Sequence, residues 1–158
     1  MSPLQARDPN EDEDEREAAQ AGEQLSVLTE IDHIGIAVRD LPAALDTYRE
    51  AFDAVVDHRE ELIDDGVEVA LLKVAESYVQ LLAPTHDDSP LAAFLDERGE
   101  GIHHVGFRVD DVAATLDVLA EQGFALVDEE PRPGSRGALI AFVHPRAMHG
   151  TLICLVEE

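Results

Sequence analysis

Apolar and polar positions change rhythm along the chain, and the changes come twice in the same order. Residues 28–38, "LTEIDHIGIAV", have the β-branched and apolar composition of a strand. "LPAALDTYREAF" then sets Leu41, Leu45, Tyr48 and Phe52 three and four residues apart, which predicts a helix with these four on its buried face. "GVEVALLKV" and "YVQLLAP" return to strand composition, with short connectors between them. In the second half "IHHVGFRV" predicts a strand, and "VAATLDVLAEQG" a helix with Val112, Leu116 and Leu119 on one face and Gly123 at its end. "FALVDEEP", "ALIAFVHP" and "GTLICLVEE" predict the strands that follow. Between the halves, Ser89 as a cap, Pro90 in the first turn and glycines at 99 and 101 bound a linking helix.

The recurrence extends to individual residues. Shifted by 71 positions, His33 falls on His104, Gly35 on Gly106, Val38 on Val109, Asp40 on Asp111, Ala43 on Ala114, Leu45 on Leu116, Asp46 on Asp117 and Glu50 on Glu121. Matches spread over a strand and its helix imply one supersecondary unit written twice. With slightly longer loops in the second half, "YVQLLAP" also lies on "LICLVEE", which sets Gln80 on Cys154. The expected organisation is one α+β domain over 28–158. It divides into a module at about 28–85, a linking helix at about 89–99 and a second module at about 101–158, preceded by a solvated acidic tail, 1–27.

Fused duplicates commonly pack about a pseudo-twofold axis, which brings equivalent inward positions together. His33, Gln80, His104 and Cys154 would then form one cluster of two imidazole nitrogens, an amide oxygen and a sulfur, a donor set for a divalent first-row metal. Four protein donors on a six-coordinate ion leave two positions for a bidentate ligand. For Gln80 an ordinary hydrogen-bonded amide stands beside this reading, and for Cys154 a small buried hydrophobe.

Charge narrows the class of function. The chain carries 35 acidic against 11 basic residues, a formal net charge of −24. Such a surface repels nucleic acid and anionic membranes, so neither is expected as a partner. Lys73 is the one lysine, and a high acidic load with lysine nearly absent is what a halophilic cytoplasm favours. No run approaches the roughly 20 apolar residues that span a bilayer, and the N-terminus lacks the pattern of a signal peptide. With a single cysteine, a cytoplasmic location is expected.

"DHIGIAV", "VQLLAP", "SPLAAFL", "GIHHVGFRVDD", "FVHP" and the closing "GTLI" together resemble the methylmalonyl-CoA epimerases, a family of the vicinal oxygen chelate superfamily that includes glyoxalase I. The resemblance runs from about residue 28 to the C-terminus. It implies two tandem βαβββ modules forming a cupped mixed sheet around a divalent metal, with Co²⁺ first in order and Mn²⁺, Ni²⁺ or Zn²⁺ also suited. It implies His33, Gln80, His104 and the residue at 154 as ligands, methylmalonyl-CoA as substrate, and a homodimer. His104 rather than His103 is assigned because strand alternation turns the latter away. The family's pattern has glutamate where this chain has Cys154, so the fourth ligand and the second acid or base differ here. Glu68, the acidic residue of "GVEVALL", is nominated as the catalytic base.

Two further features carry less. "RPGSRGAL" could offer backbone donors to a carboxylate or to the CoA portion, and Arg136 within it suits either a substrate anion or an ordinary surface ion pair. His144 and His149 read as loop residues. The alternatives to epimerisation are a glyoxalase-like lyase or isomerase on another thiol adduct, and a non-catalytic binding member of the superfamily.

Overall fold

The computed structural model describes residues 26–158, so all but the last two residues of the predicted acidic tail lie outside the described residues. Its elements are β1 (Glu30–Ala37), α1 (Leu41–Phe52), β2 (Val56–Leu62), β3 (Val67–Val74), β4 (Ser77–Pro84), α2 (Pro90–Arg98), β5 (Gly101–Arg108), α3 (Val112–Glu121), β6 (Arg132–Pro133), β7 (Leu139–Val143) and β8 (Ile153–Glu157). The eight strands form one sheet in the order β2-β3-β4-β1-β5-β8-β7-β6. The order is a palindrome of the two βαβββ modules. β1 lies parallel to β4 and β5 parallel to β8, while β1 and β5 join the modules as an antiparallel pair.

The repeated residues build the repeated packing. Asp40 caps α1 by accepting from Ala43 N, and its counterpart Asp111 caps α3 by accepting from Ala114 N. Leu41 of α1 is buried with Val38, Ala70, Leu72, Leu81 and Ala83. Val112 and Leu116 of α3 are buried with Val109, Ala141, Val143 and Leu155. These helices cover one face of the sheet. The linking helix α2 is capped by Ser89, whose hydroxyl accepts from Leu91 N and Ala92 N, and it seats Leu91 and Leu95 on Ala37, Val69 and Leu82 of the other face. Among the described residues no helix is long and apolar enough to cross a membrane.

Three expectations need correction. Phe52 is 74% exposed, because α1 ends there and Asp53 turns left-handed (φ 55) to lead the chain off to β2; its ring contact is with Tyr48 instead. β2, "VDHREEL", is a strand the pattern did not announce, its charged alternation being that of a sheet edge. "FALVDEEP" makes only an isolated bridge, Leu126 to Val143. There the Asp128 carboxylate takes the N–H of Phe142 while the Phe142 carbonyl accepts from Val127 and Asp128, so a side chain displaces a regular ladder. Pro131 and Pro133 lack the donors to resume it, and β6 is a two-residue stub.

Candidate metal and substrate site

The face of the sheet that carries α2 curls around a cavity of about 230 Å³ whose lining includes His33, Gln80, His104 and Cys154. Register explains their convergence. Across the central pair His33 stands opposite Gly106 and Gly35 opposite His104, while Gly35 also pairs laterally with Gln80 and Gly106 with Cys154. Each histidine lies over the glycine of the other module: a Cβ on Gly106 would overlap the His33 ring, and one on Gly35 the His104 ring. The His-x-Gly motif is repeated because each copy supplies the floor for the other's imidazole.

Each central strand carries a bulge, and the two bulges are also equivalent. The ladder skips Asp32 in β1 and His103 in β5, residues that superimpose in the repeat. An extra residue upsets strict alternation, so Asp32 and His33 both line the cavity, as do His103 and His104. His103 therefore does not turn away, contrary to the expectation from alternation. Each bulge residue contacts Nδ1 of the histidine after it, Asp32 Oδ2 at 2.7 Å from His33 and His103 Nδ1 at 2.9 Å from His104. The signal for His103 was present in the repeat, where Asp-His faces His-His.

Asp32 has no solvent exposure. Burial raises its pKa, but hydrogen bonds from His33 and Arg108 and the charge of Arg136 outweigh this and hold it well below the usual carboxylate range. An ionised carboxylate only accepts, so His33 donates from Nδ1 and turns a lone pair outward on Nε2. Burial, with His33 and His103 nearby, drives the His104 pKa well down and keeps that ring neutral.

The donor atoms fit a divalent cation. His33 Nε2 and His104 Nε2 are 2.9 Å apart, and adjacent imidazole ligands about 2.1 Å from a six-coordinate ion stand about 3 Å from each other. Gln80 is only 7% exposed, and its Oε1 is buried without a hydrogen-bond partner. Such an orphan acceptor is costly unless a ligand satisfies it. Cys154 is buried among Ala138, Val156, Ile140 and Phe142, and burial, followed by the charge of Asp32, pushes its thiol pKa far up. Among the described residues no three histidine, cysteine, aspartate or glutamate side chains form a ready cation cage. The inner set here needs the amide of Gln80 as its third donor.

Glu68 is elsewhere. Val67 and Val69 line the cavity, so alternation turns Glu68 to the other face of β3, where its carboxylate lies 3.9 Å from Arg59. This corrects its nomination as the base: a shift of one residue along a strand exchanges its faces. Glu157 accepts from Val112 N at the start of α3, and Glu158 pairs with Arg136 at 2.8 Å, so neither replaces a carboxylate at 154. His144 Nδ1 accepts from Arg146 N within its own turn. At the cavity's rim Arg132 of the second module clasps Asp65 of the first through both carboxylate oxygens, at 2.7 and 2.9 Å.

The model of the Glyoxalase/Bleomycin resistance protein/Dioxygenase superfamily matches residues 32–142. The ethylmalonyl-CoA/methylmalonyl-CoA epimerase of Cereibacter sphaeroides is 35% identical over 133 residues, covering 83% of this chain and 97% of that protein. The chain belongs to the methylmalonyl-CoA epimerase family. Membership extends to the backbone of these epimerases. The crystal structure of methylmalonyl-CoA epimerase from Mycobacterium tuberculosis superimposes with a TM-score of 0.80 at 40% identity, covering 87% of this chain and 94% of that one. A methylmalonyl-CoA epimerase in complex with methylmalonyl-CoA and NH4+ gives a TM-score of 0.80 at 42% identity, with 83% and 95% covered.

Proposed function

We propose that this member of the family interconverts the epimers of methylmalonyl-CoA, or of a close 2-alkylmalonyl thioester, at a divalent cation held by His33, Gln80 and His104, with Cys154 as the fourth inward donor. The observation that carries the reading is the unpartnered Gln80 Oε1 in the cavity that also holds the two facing imidazole nitrogens. A cation bound there would supply Lewis acidity to the thioester and carboxylate oxygens of the substrate, acidifying the hydrogen between them.

The chain's own residues set the rest. Asp32 holds His33 in the tautomer that presents Nε2, and Gly35 and Gly106 let both rings lie flat against the strands. Leu62, Val67 and Leu82 give the centre an apolar wall, and a low-dielectric wall strengthens electrostatic interactions beside it. Inversion requires a proton acceptor on one face of the carbon and a donor on the other. Of the carboxylates lining the cavity, Asp32 is committed to His33 and two arginines and Asp65 to Arg132; Asp64, on the first module's side, has no ion pair among the described residues. On the second module's side stands Cys154, whose thiol would carry a proton only while its sulfur is not bound to the cation.

Cys154, where the pattern of the resembled family has glutamate, favours a second reading: proton exchange at one face without inversion. Both are read in one experiment on protein loaded separately with Co²⁺, Mn²⁺ and Zn²⁺. Deuterium uptake at the α-carbon in D₂O together with racemisation supports the epimerase. Uptake without racemisation selects one-face exchange, and Cys154→Glu should then restore inversion. No uptake from methylmalonyl-CoA, with turnover of a hemithioacetal instead, would overturn both in favour of glyoxalase-like chemistry.

A further inference from the structure

Two buried side-chain polar atoms among the described residues lack a hydrogen-bond partner, and both belong to residues lining the same cavity. One is the acceptor Gln80 Oε1, absorbed above by a cation. The other is a donor, Arg136 Nε. We propose that Arg136 binds the free carboxylate of the substrate through this N–H and so selects malonyl-type thioesters over thioesters without a carboxylate. The inference rests on the proposed function and assigns a residue to its substrate specificity.

The local fold delivers and immobilises this guanidinium. Arg136 lies in a short 3-10 turn, Ser135–Gly137, and has φ 64, a left-handed conformation that a long side chain rarely adopts. The turn is anchored across the module boundary, where Arg136 N donates to Glu60 Oε1 at 3.1 Å. The guanidinium lies 4.7 Å over the Tyr78 ring, and one terminal nitrogen contacts Asp32 Oδ2 at 3.3 Å and Glu158 Oε2 at 2.8 Å. These contacts use NH2 and the aromatic face and leave Nε–H over. A planar guanidinium fixed by an aromatic ring is suited to a carboxylate, since little further side-chain freedom is lost on binding.

Its charge is shared in a network of two arginines with Asp32, Glu158 and Glu30, and what it keeps for a ligand is the Nε–H. Asp32 divides its interaction among His33, Arg108 and Arg136, and Glu158 is shared with Arg108. Through Asp32, Arg136 is also one residue removed from His33. A ligand chelated at the histidine pair would thus have a cationic donor beside it, and that donor comes from the second module's turn.

The test measures binding of methylmalonyl-CoA and of propionyl-CoA, which lacks the carboxylate, to the metal-loaded full chain and to Arg136→Met and Arg136→Lys. Methylmalonyl-CoA affinity should fall roughly 10- to 100-fold in Arg136→Met, the usual loss for a hydrogen bond to a charged group, and recover partly in Arg136→Lys. Propionyl-CoA affinity and Co²⁺ affinity should stay within about twofold. Unchanged preference for methylmalonyl-CoA would overturn the assignment. So would a loss that tracks Co²⁺ affinity, which would mean that Arg136 acts through Asp32 and His33. If the wild type binds methylmalonyl-CoA no better than propionyl-CoA, the proposed function itself fails and this assignment with it. Phenylglyoxal labelling of the unaltered protein gives a second readout independent of folding in the variants. Methylmalonyl-CoA should protect Arg136 and propionyl-CoA should not, and equal protection would count against the proposal.

Discussion

Asp32 is the one aspartate or glutamate among the described residues that is fully buried, and its contacts tie the candidate centre to the ion pairs around it. Replacing it by asparagine keeps the shape but removes the charge that selects the His33 tautomer and offsets Arg108 and Arg136. We expect Asp32→Asn to weaken Co²⁺ binding by about 10- to 100-fold, measured by chelator competition. It should also lower stability to urea, since two arginines lose a buried partner. Because the folded-state pKa of Asp32 is depressed, its stabilisation is complete above the ordinary aspartate value of about 4 and is lost as pH falls toward the folded value. The stability of the asparagine variant should therefore decline less steeply on acidification below about pH 4, in urea titrations followed by circular dichroism.

At the scale of strands, the repeat made both histidines, Gln80 and Cys154 legible, because equivalent positions of a duplicated strand meet across a twofold axis whatever their distance in sequence. The direction of Glu68 and of His103 was not legible. Both depend on register, one on a single-residue shift in β3 and the other on a bulge that strict alternation cannot foresee. The segment "FALVDEEP" has strand composition, yet Asp128 and two prolines divert its hydrogen bonds. The close approach of β1 and β5 gives its own expectation. Gly106→Ala would place a methyl group inside the His33 ring, so the imidazole or the strand must move. Co²⁺ affinity should fall at least 10-fold in this variant, while Gly99→Ala, where a Cβ would meet nothing, leaves it unchanged apart from local strain at φ 78.

For the molecule as a whole, the net charge of −24 is a standing self-repulsion that added salt screens. The thermal midpoint should rise as NaCl goes from 0.1 M into the molar range, and a flat or falling midpoint would show that the acidic surface does not govern stability. Within that shell the two modules have diverged, even in the chemistry they present: Gln80 corresponds to Cys154 and Asp32 to His103. The His-x-Gly triplets have not, and their crosswise seating gives the reason. A bulkier residue in place of either glycine would be felt in an imidazole of the other module, His104 for Gly35 and His33 for Gly106, in the half of the chain that had not changed. The two copies are free to acquire different trades, provided that each keeps a seat for the other.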